Sequence, residues 1–236
     1  MLTVDRLRVD IGASRILCDV SLRVGAQEVV CLIGRNGAGK TTTLRTIMGY
    51  LAPASGTIDF DGRRLNGLPT HAIAAMGVAF SPEEAGIFGS LTVGENIEIA
   101  TWTRASRRST AERMEQAYAV FPNLRRYASR GGTEISGGER KMLSIARALA
   151  LDPELLLLDE PFEGLSPAII PAVNRSVAAV TRLGPGILIA ESNIHHVPEY
   201  ATRLYVIERG EIVFSGTVAD ARRVPHVLRI VGGTPS

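Results

Sequence analysis

The sequence predicts an α/β fold with a helical segment inserted between two runs of strands. Three observations support this. The β-branched run Glu28–Ile33 ends at the glycine-rich stretch Gly34–Gly39, and helical spacing begins at Lys40. From about Leu91 to Leu151 most segments have helical spacing. Strand signals then return at Leu155–Leu158, Ile187–Ala190, Leu204–Ile207 and Ile212–Phe214, the order expected of a helical insertion in an α/β core.

The elements follow in order. Leu2–Val9 alternates apolar and polar residues, as a half-buried strand does. Glu28–Ile33 reads as a buried strand. Lys40–Met48 places Leu44, Ile47 and Met48 on one side of a helix. Gly56–Phe60 followed by Asp61-Gly62 reads as a hairpin. Ser109-Thr110-Ala111-Glu112 has the form of a helix start, and Met114, Ala117, Tyr118 and Phe121 follow at helical spacing. Ser136 precedes a second helix, from about Gly138 to Leu151. Thr234, Pro235 and Ser236 read as a frayed end.

Composition narrows the function class. The 236 residues suffice for a buried core, and 45% apolar with 21% charged residues excludes a disordered chain. Basic residues number 26 and acidic ones 24, so no polyanion partner is indicated. Arg107-Arg108, Arg125-Arg126 and Arg222-Arg223 read as solvated surface, and no nucleic-acid partner is expected. Mean hydropathy is +0.14. No run of about 18 apolar residues exists to cross a membrane. The most hydrophobic stretch, Ala148–Leu158, is broken by Asp152, Pro153 and Glu154. Met1–Asp10 carries charges and lacks an apolar signal core, so a cytoplasmic location is expected. Cys18 and Cys31 sit in apolar settings and read as core packing.

Gly34-Arg35-Asn36-Gly37-Ala38-Gly39-Lys40-Thr41 matches the phosphate-loop pattern G-x-x-x-x-G-K-[ST] at every fixed position, between a strand and a helix. Glycines let backbone N–H groups turn inward around phosphate oxygens, and the helix N-terminus adds partial positive charge. Lys40 is expected to reach the β- and γ-phosphates. Thr41 offers a hydroxyl to Mg²⁺, and Thr42 follows it in the same nucleotide-binding turn. A second site is expected at Leu155–Asp159, an apolar strand ending in a carboxylate. Asp159 is a candidate Mg²⁺ ligand, and Glu160 a candidate to polarise an attacking water.

Ile135-Ser136-Gly137-Gly138-Glu139 precedes that strand, with Arg147-Ala148-Leu149 downstream. This resembles the Leu-Ser-Gly-Gly-Gln signature of ABC-transporter ATPases, and the order of the three motifs is similar to theirs. Phe88–Asn96, Phe121–Leu124, Ile135–Leu143 and Gly164-Leu165-Ser166-Pro167 most resemble the smaller ATPase of branched-chain (hydrophobic) amino-acid uptake transporters. Pro82–Phe88 also resembles the lipopolysaccharide-export ATPase.

The resemblance implies a phosphate-loop NTPase (RecA-like) core with an antiparallel β subdomain and an inserted helical subdomain. One ATPase domain spans the chain, its core at about 1–83 and 152–236 and its helical part at about 84–151. Ser136 and the amides of Gly137 and Gly138 would contact ATP held by a second subunit, either another copy or a larger sister ATPase. Transmembrane permease subunits would be partners, seated on the loop from about Pro82 to Leu91 by Ile87, Phe88 and Leu91, with a periplasmic binding protein as an indirect partner. The place of work would be the cytoplasmic face of the plasma membrane. A different class, a non-transport ABC ATPase, is disfavoured by the single ATPase unit and the lack of heptads.

The sequence departs from the family at several positions. Ile11 stands where an aromatic usually stacks on adenine, which implies weaker or less base-selective nucleotide binding. Glu83 stands where Gln is usual and is an expected Mg²⁺ ligand. Ser166 ends the loop after the acidic strand where Asp is usual. Ser192 occupies the position of the switch histidine, which implies slow turnover. His195 and His196 lie three and four residues beyond; substitution by one of them is the alternative, but they read as surface helix residues.

Overall fold

The computed structural model describes residues 1–232, and the tail Thr234–Ser236 lies outside them. Two compact units are formed, one from Met1–Ile73 with residues 186–232, the other from Ala74–Pro185.

The chain begins with antiparallel strands β1 (Leu2–Ile11) and β2 (Ser14–Val24). Leu2, Val4, Leu7 and Val9 alternate into the core, and Leu17, Val20, Leu22 and Val24 face them there. Strand β3 (Val29–Ile33) is buried throughout and delivers the chain to the glycine loop. Helix α1 (Lys40–Ile47) follows, with Leu44, Ile47 and the adjoining Met48 buried as expected. Strands β4 (Ser55–Phe60) and β5 (Arg63–Arg64) form the expected hairpin. Asp61 (φ 48°) and Gly62 (φ 76°) supply the two left-handed residues that a tight two-residue hairpin turn requires. Helix α2 (Thr70–Ala75) comes next.

The second unit pairs β6 (Val78–Ser81) in parallel with β7 (Leu155–Asp159). Between them lie α3 (Val93–Thr101), α4 (Thr110–Val120), α5 (Pro122–Arg126) and α6 (Gly137–Ala150), and α7 (Ile170–Thr181) follows β7. Helices α3, α4 and α6 each start with a reciprocal capping box: Thr92 with Glu95, Ser109 with Glu112, and Ser136 with Glu139. Of the apolar line expected on α4, Ala117, Tyr118 and the following Phe121 are buried, whereas Met114 is only half-buried. Arg113 goes inward instead. It donates from Nε to Ala150 O (2.7 Å) and from Nη1 to Thr101 O (2.8 Å), serving carbonyls that the C-terminal ends of α6 and α3 leave without helical partners.

The first unit resumes with β8 (Gly186–Glu191), a 3₁₀ turn (Ile194–His196), β9 (Arg203–Glu208), β10 (Glu211–Gly216), α8 (Val218–Ala221) and α9 (Pro225–Val231). Its sheet runs β5-β4-β1-β2-β10-β9-β3-β8 and is mixed, with β3 parallel to both β8 and β9. Register Ile33↔Glu191 sets the carboxyl ends of β3 and β8 side by side. The glycine loop leaves the sheet at that edge. Among the described residues no helix is long and apolar enough to cross a membrane.

Candidate functional site

The loop between β3 and α1 is shaped by its glycines in two ways. A Cβ on Gly34 would fall 2.3 Å from Ile207 O, and one on Gly39 (φ 113°) would fall 2.5 Å from Leu17 Cδ2. Those two positions let the loop lie against the sheet. Gly37 (φ 80°) is the opposite case, since a Cβ there would meet nothing within 4 Å. Its exposed flank is open to a ligand. The amide of Gly34 donates to Glu191 O (3.1 Å), and Ala38 N donates to Arg35 O (3.0 Å).

Lys40 is 4% exposed and curls back into the loop, where Nζ donates to Gly34 O (2.8 Å) and Arg35 O (3.2 Å). The N-cap Gly39 offers no side-chain cap, and the first turn of α1 holds no acid. Thr41 and Thr42 lie half-buried in that turn, while Arg35 and Asn36 point outward. Left-handed glycines, a buried ammonium and an uncapped helix N-terminus together suit a phosphate group. Arg35 reaches α9, donating from Nη2 to Arg229 O (2.8 Å) and from Nε to Ile230 O (3.2 Å).

Two other expected positions lie in the same unit. Ile11 ends β1 and is 48% exposed. Ser192 is half-buried just past β8. The structure corrects the expectation for one neighbouring histidine. His195 is exposed on the short 3₁₀ turn, but His196 turns inward, its Nδ1 3.2 Å from a carboxylate oxygen of the fully buried Glu191. A carboxylate withdrawn from water requires such a partner. Cys31 is buried as expected, and burial pushes its thiol well above the usual range.

In the second unit β7 ends at Asp159, 1% exposed, and Glu160 follows at 4%. Glu160 has φ 45°, a left-handed conformation that costs a side-chain-bearing residue about 1–2 kcal/mol. Glu83 is exposed just beyond β6. Its own carbonyl accepts from Lys141 Nζ (2.6 Å), and Arg147 donates to Gly86 O (2.7 Å) and Ala85 O (3.2 Å). Of the three apolar residues expected to be exposed nearby, Phe88 is 49% exposed, whereas Ile87 and Leu91 are half-buried.

At the start of α6, Ser136 Oγ accepts from Glu139 N (3.3 Å) and Glu139 Oε2 accepts from Ser136 N (2.8 Å). Burial works to raise the Glu139 pKa, but the bonds from Ser136, with the Tyr127 hydroxyl and the Arg130 charge, outweigh it and hold it below the usual carboxylate range. Gly137 is exposed. Gly138 is buried, and a Cβ there would press on Ile169 at 3.0 Å.

Residues 17–163 match the family model described as ABC transporter. The chain belongs to the ABC transporter family. It is an ATPase subunit of that family, with the α/β core that the resemblance implied. It is 40% identical over 228 residues to the high-affinity branched-chain amino acid transport ATP-binding protein BraG of Pseudomonas aeruginosa, covering 96% of this chain and 97% of that one. It is 34% identical over 238 residues to the lipopolysaccharide export system ATP-binding protein LptB of Haemophilus influenzae, covering 99% and 97%. A solved structure, described as the ATP-binding subunit of an ABC transporter, superposes with a TM-score of 0.82 at 30% identity, covering 94% of this chain and 92% of that one.

Sequence reasoning missed several residues of this ABC ATPase. Glu191, Lys141 and Arg113 are buried charged side chains, only 0%, 5% and 4% exposed. The available signal was a charged residue interrupting an apolar run: Glu191 after Ile187–Ala190, and Lys141 beside Met142-Leu143. That pattern shows a polar group is needed in the core without saying what it bonds.

Proposed function

We propose that this ABC ATPase binds and hydrolyses Mg·ATP to drive a membrane transporter for branched-chain amino-acid import. The observation behind the hydrolytic part is the glycine loop with Lys40 buried inside it, at the mouth of an uncapped helix. In this reading residues 34–42 hold the phosphates and Lys40 balances charge on the β- and γ-phosphates. Thr41, Asp159 and Glu83 hold Mg²⁺, whose role is to neutralise phosphate charge. The donor set is hard oxygen, as that ion prefers. Glu160 orients and deprotonates the attacking water. Ser192 meets the γ-phosphate through water rather than directly, being short, and Ile11 covers the base by dispersion alone.

The chain acts as a single ATPase domain with residues 84–151 as its helical part. Ser136, Gly137 and Gly138 engage the nucleotide of a second subunit, a further copy or a sister ATPase, so that ATP binds the pair together and hydrolysis releases it. Permease subunits seat near Phe88 at the cytoplasmic face of the plasma membrane, and a periplasmic binding protein delivers the solute. The 40% relative supports the amino-acid reading, and the 34% relative supports lipopolysaccharide export as the second.

Glu160→Gln tests the mechanism. It should reduce phosphate release by about 10²–10⁴-fold while ATP binding persists and a stable ATP-bound dimer accumulates. A Glu160→Gln protein that stays monomeric at saturating ATP and hydrolyses normally would sink it. Leucine uptake in cells deleted for the gene separates the two transport readings: lost uptake supports import, and intact uptake with an outer-membrane defect supports export.

A further inference from the structure

The segment following β6 is strained and is held from outside. Ala85 (φ 62°) and Gly86 (φ 55°) are consecutive left-handed residues, and the alanine pays about 1–2 kcal/mol for that conformation. Local turns alone, Ala85 N to Pro82 O and Gly86 N to Glu84 O, do not explain why a non-glycine residue persists there. Asn96 of α3 holds the backbone of Phe88, and α6 restrains the residues before it. Lys141, Ser144 and Arg147 are spaced three apart and share a face. Lys141 bonds Glu83 O, Ser144 Oγ lies 2.9 Å from Ser81 Oγ, and Arg147 spans Ala85 O and Gly86 O. The Arg147 guanidinium also lies over the Phe88 ring, 5.2 Å from its centroid. Lys141 and Ser144 are only 5% and 1% exposed, so water does not readily replace these bonds.

We propose that Lys141 and Arg147 of α6 are positioning residues that fix the backbone of residues 83–86, and with it the Glu83 carboxylate, as one rigid piece with the helix that begins at Ser136. Neither touches the reacting atoms. Their role is to transmit the placement of α6 to Glu83 on one side and to Phe88 on the other. A bend of α6 is thereby felt at both places without any change in the loop's own conformation. The part concerning Glu83 rests on the metal role proposed above.

The test uses the full chain with Lys141→Met, Lys141→Arg, Glu83→Ala and the double variant Lys141→Met/Glu83→Ala. Two measurements are made: amide hydrogen exchange of residues 83–88 in nucleotide-free protein, and Mn²⁺ affinity by electron paramagnetic resonance with a non-hydrolysable ATP analogue. Loss of a buried bond from a charged donor should speed exchange about ten-fold or more in 83–88 of Lys141→Met, leaving the amides of α6 protected. Mn²⁺ affinity should fall in Lys141→Met and in Glu83→Ala, the double variant should be no weaker than Glu83→Ala, and Lys141→Arg should restore both readouts.

Wild-type exchange in Lys141→Met, or losses that simply add in the double variant, would overturn the proposal with the metal role of Glu83 intact. Unchanged Mn²⁺ affinity in Glu83→Ala would overturn both together. Should Lys141→Met fail to fold, Arg147→Lys keeps the charge, cannot span both carbonyls, and carries the same two readouts.

Discussion

Two helices of this protein present their N-termini in opposite ways. At α1 the cap is Gly39, which has no side chain to bond the first amides, and the first turn carries no acid. At α6 the cap is Ser136, Glu139 sits in the first turn, and the two residues satisfy each other's amides. The partial positive charge of a helix start meets no acid of its own first turn at α1 and is answered by Glu139 at α6. The α1 end is supported by glycines, which take left-handed or crowded positions without strain, and by the buried Lys40. The α6 end is stable by itself. In the proposed function the first is the standing nucleotide site, and the second engages only when a partner's nucleotide arrives.

The sharpest way to break this comparison is to remove the buried ammonium. Lys40→Ala should lower ATP hydrolysis by about 10²–10³-fold, since a preorganised charge is lost from the phosphate site. Steady-state phosphate release measures it, and calorimetry should show a folded protein.

The glycines sharpen it next. Gly39→Ala places a Cβ 2.5 Å from Leu17 at a φ of 113°. It should cost roughly 3 kcal/mol, a fall of about 6–12 °C in Tm. Gly137→Ala meets nothing closer than Arg140 Nη2 at 3.9 Å. Its Tm should hold or rise slightly, because alanine is favoured over glycine in a helix by up to about 1 kcal/mol. Its hydrolysis at saturating ATP should nevertheless fall about ten-fold or more, because the added methyl stands where the partner's phosphate is proposed to dock. If Gly137→Ala lost stability as Gly39→Ala does, the contrast between a fold-bound and a ligand-bound glycine would be gone.

The smallest effect concerns pH. Glu139 is held below its unfolded value of 4.5 in the fold. Its contribution is therefore fully present above about pH 4.5 and is lost as pH falls through the folded value. Glu139→Gln keeps the cap without titrating. Wild type should lose less than about 1 kcal/mol more than Glu139→Gln between pH 5 and pH 3, read from thermal unfolding. Parallel curves for the two proteins would show that this cap is not held by the carboxylate.

Much of this was legible in the sequence, for physical reasons. The phosphate loop could be read because backbone geometry there demands glycine at fixed intervals. The helix start at Ser109 could be read because its partner Glu112 lies three residues on. Lys141, Arg147, Arg113 and Glu191 could not, because their partners lie elsewhere. Lys141 bonds a carbonyl 58 positions away, and Arg113 one 37 positions away. A backbone carbonyl has no residue identity, so no pattern of side chains announces such a bond. His196 fails for a related reason: its inward turn follows from a carboxylate whose burial becomes visible only once β8 lies in the sheet.

The central claim is that the open start of α1 is built to receive a triphosphate. Titration of the purified protein with Mg·ATP by isothermal calorimetry, wild type beside folded Lys40→Ala, tests it most directly. Saturable binding by wild type that Lys40→Ala loses is the result expected. Equal binding by both proteins, or none by wild type, would contradict it.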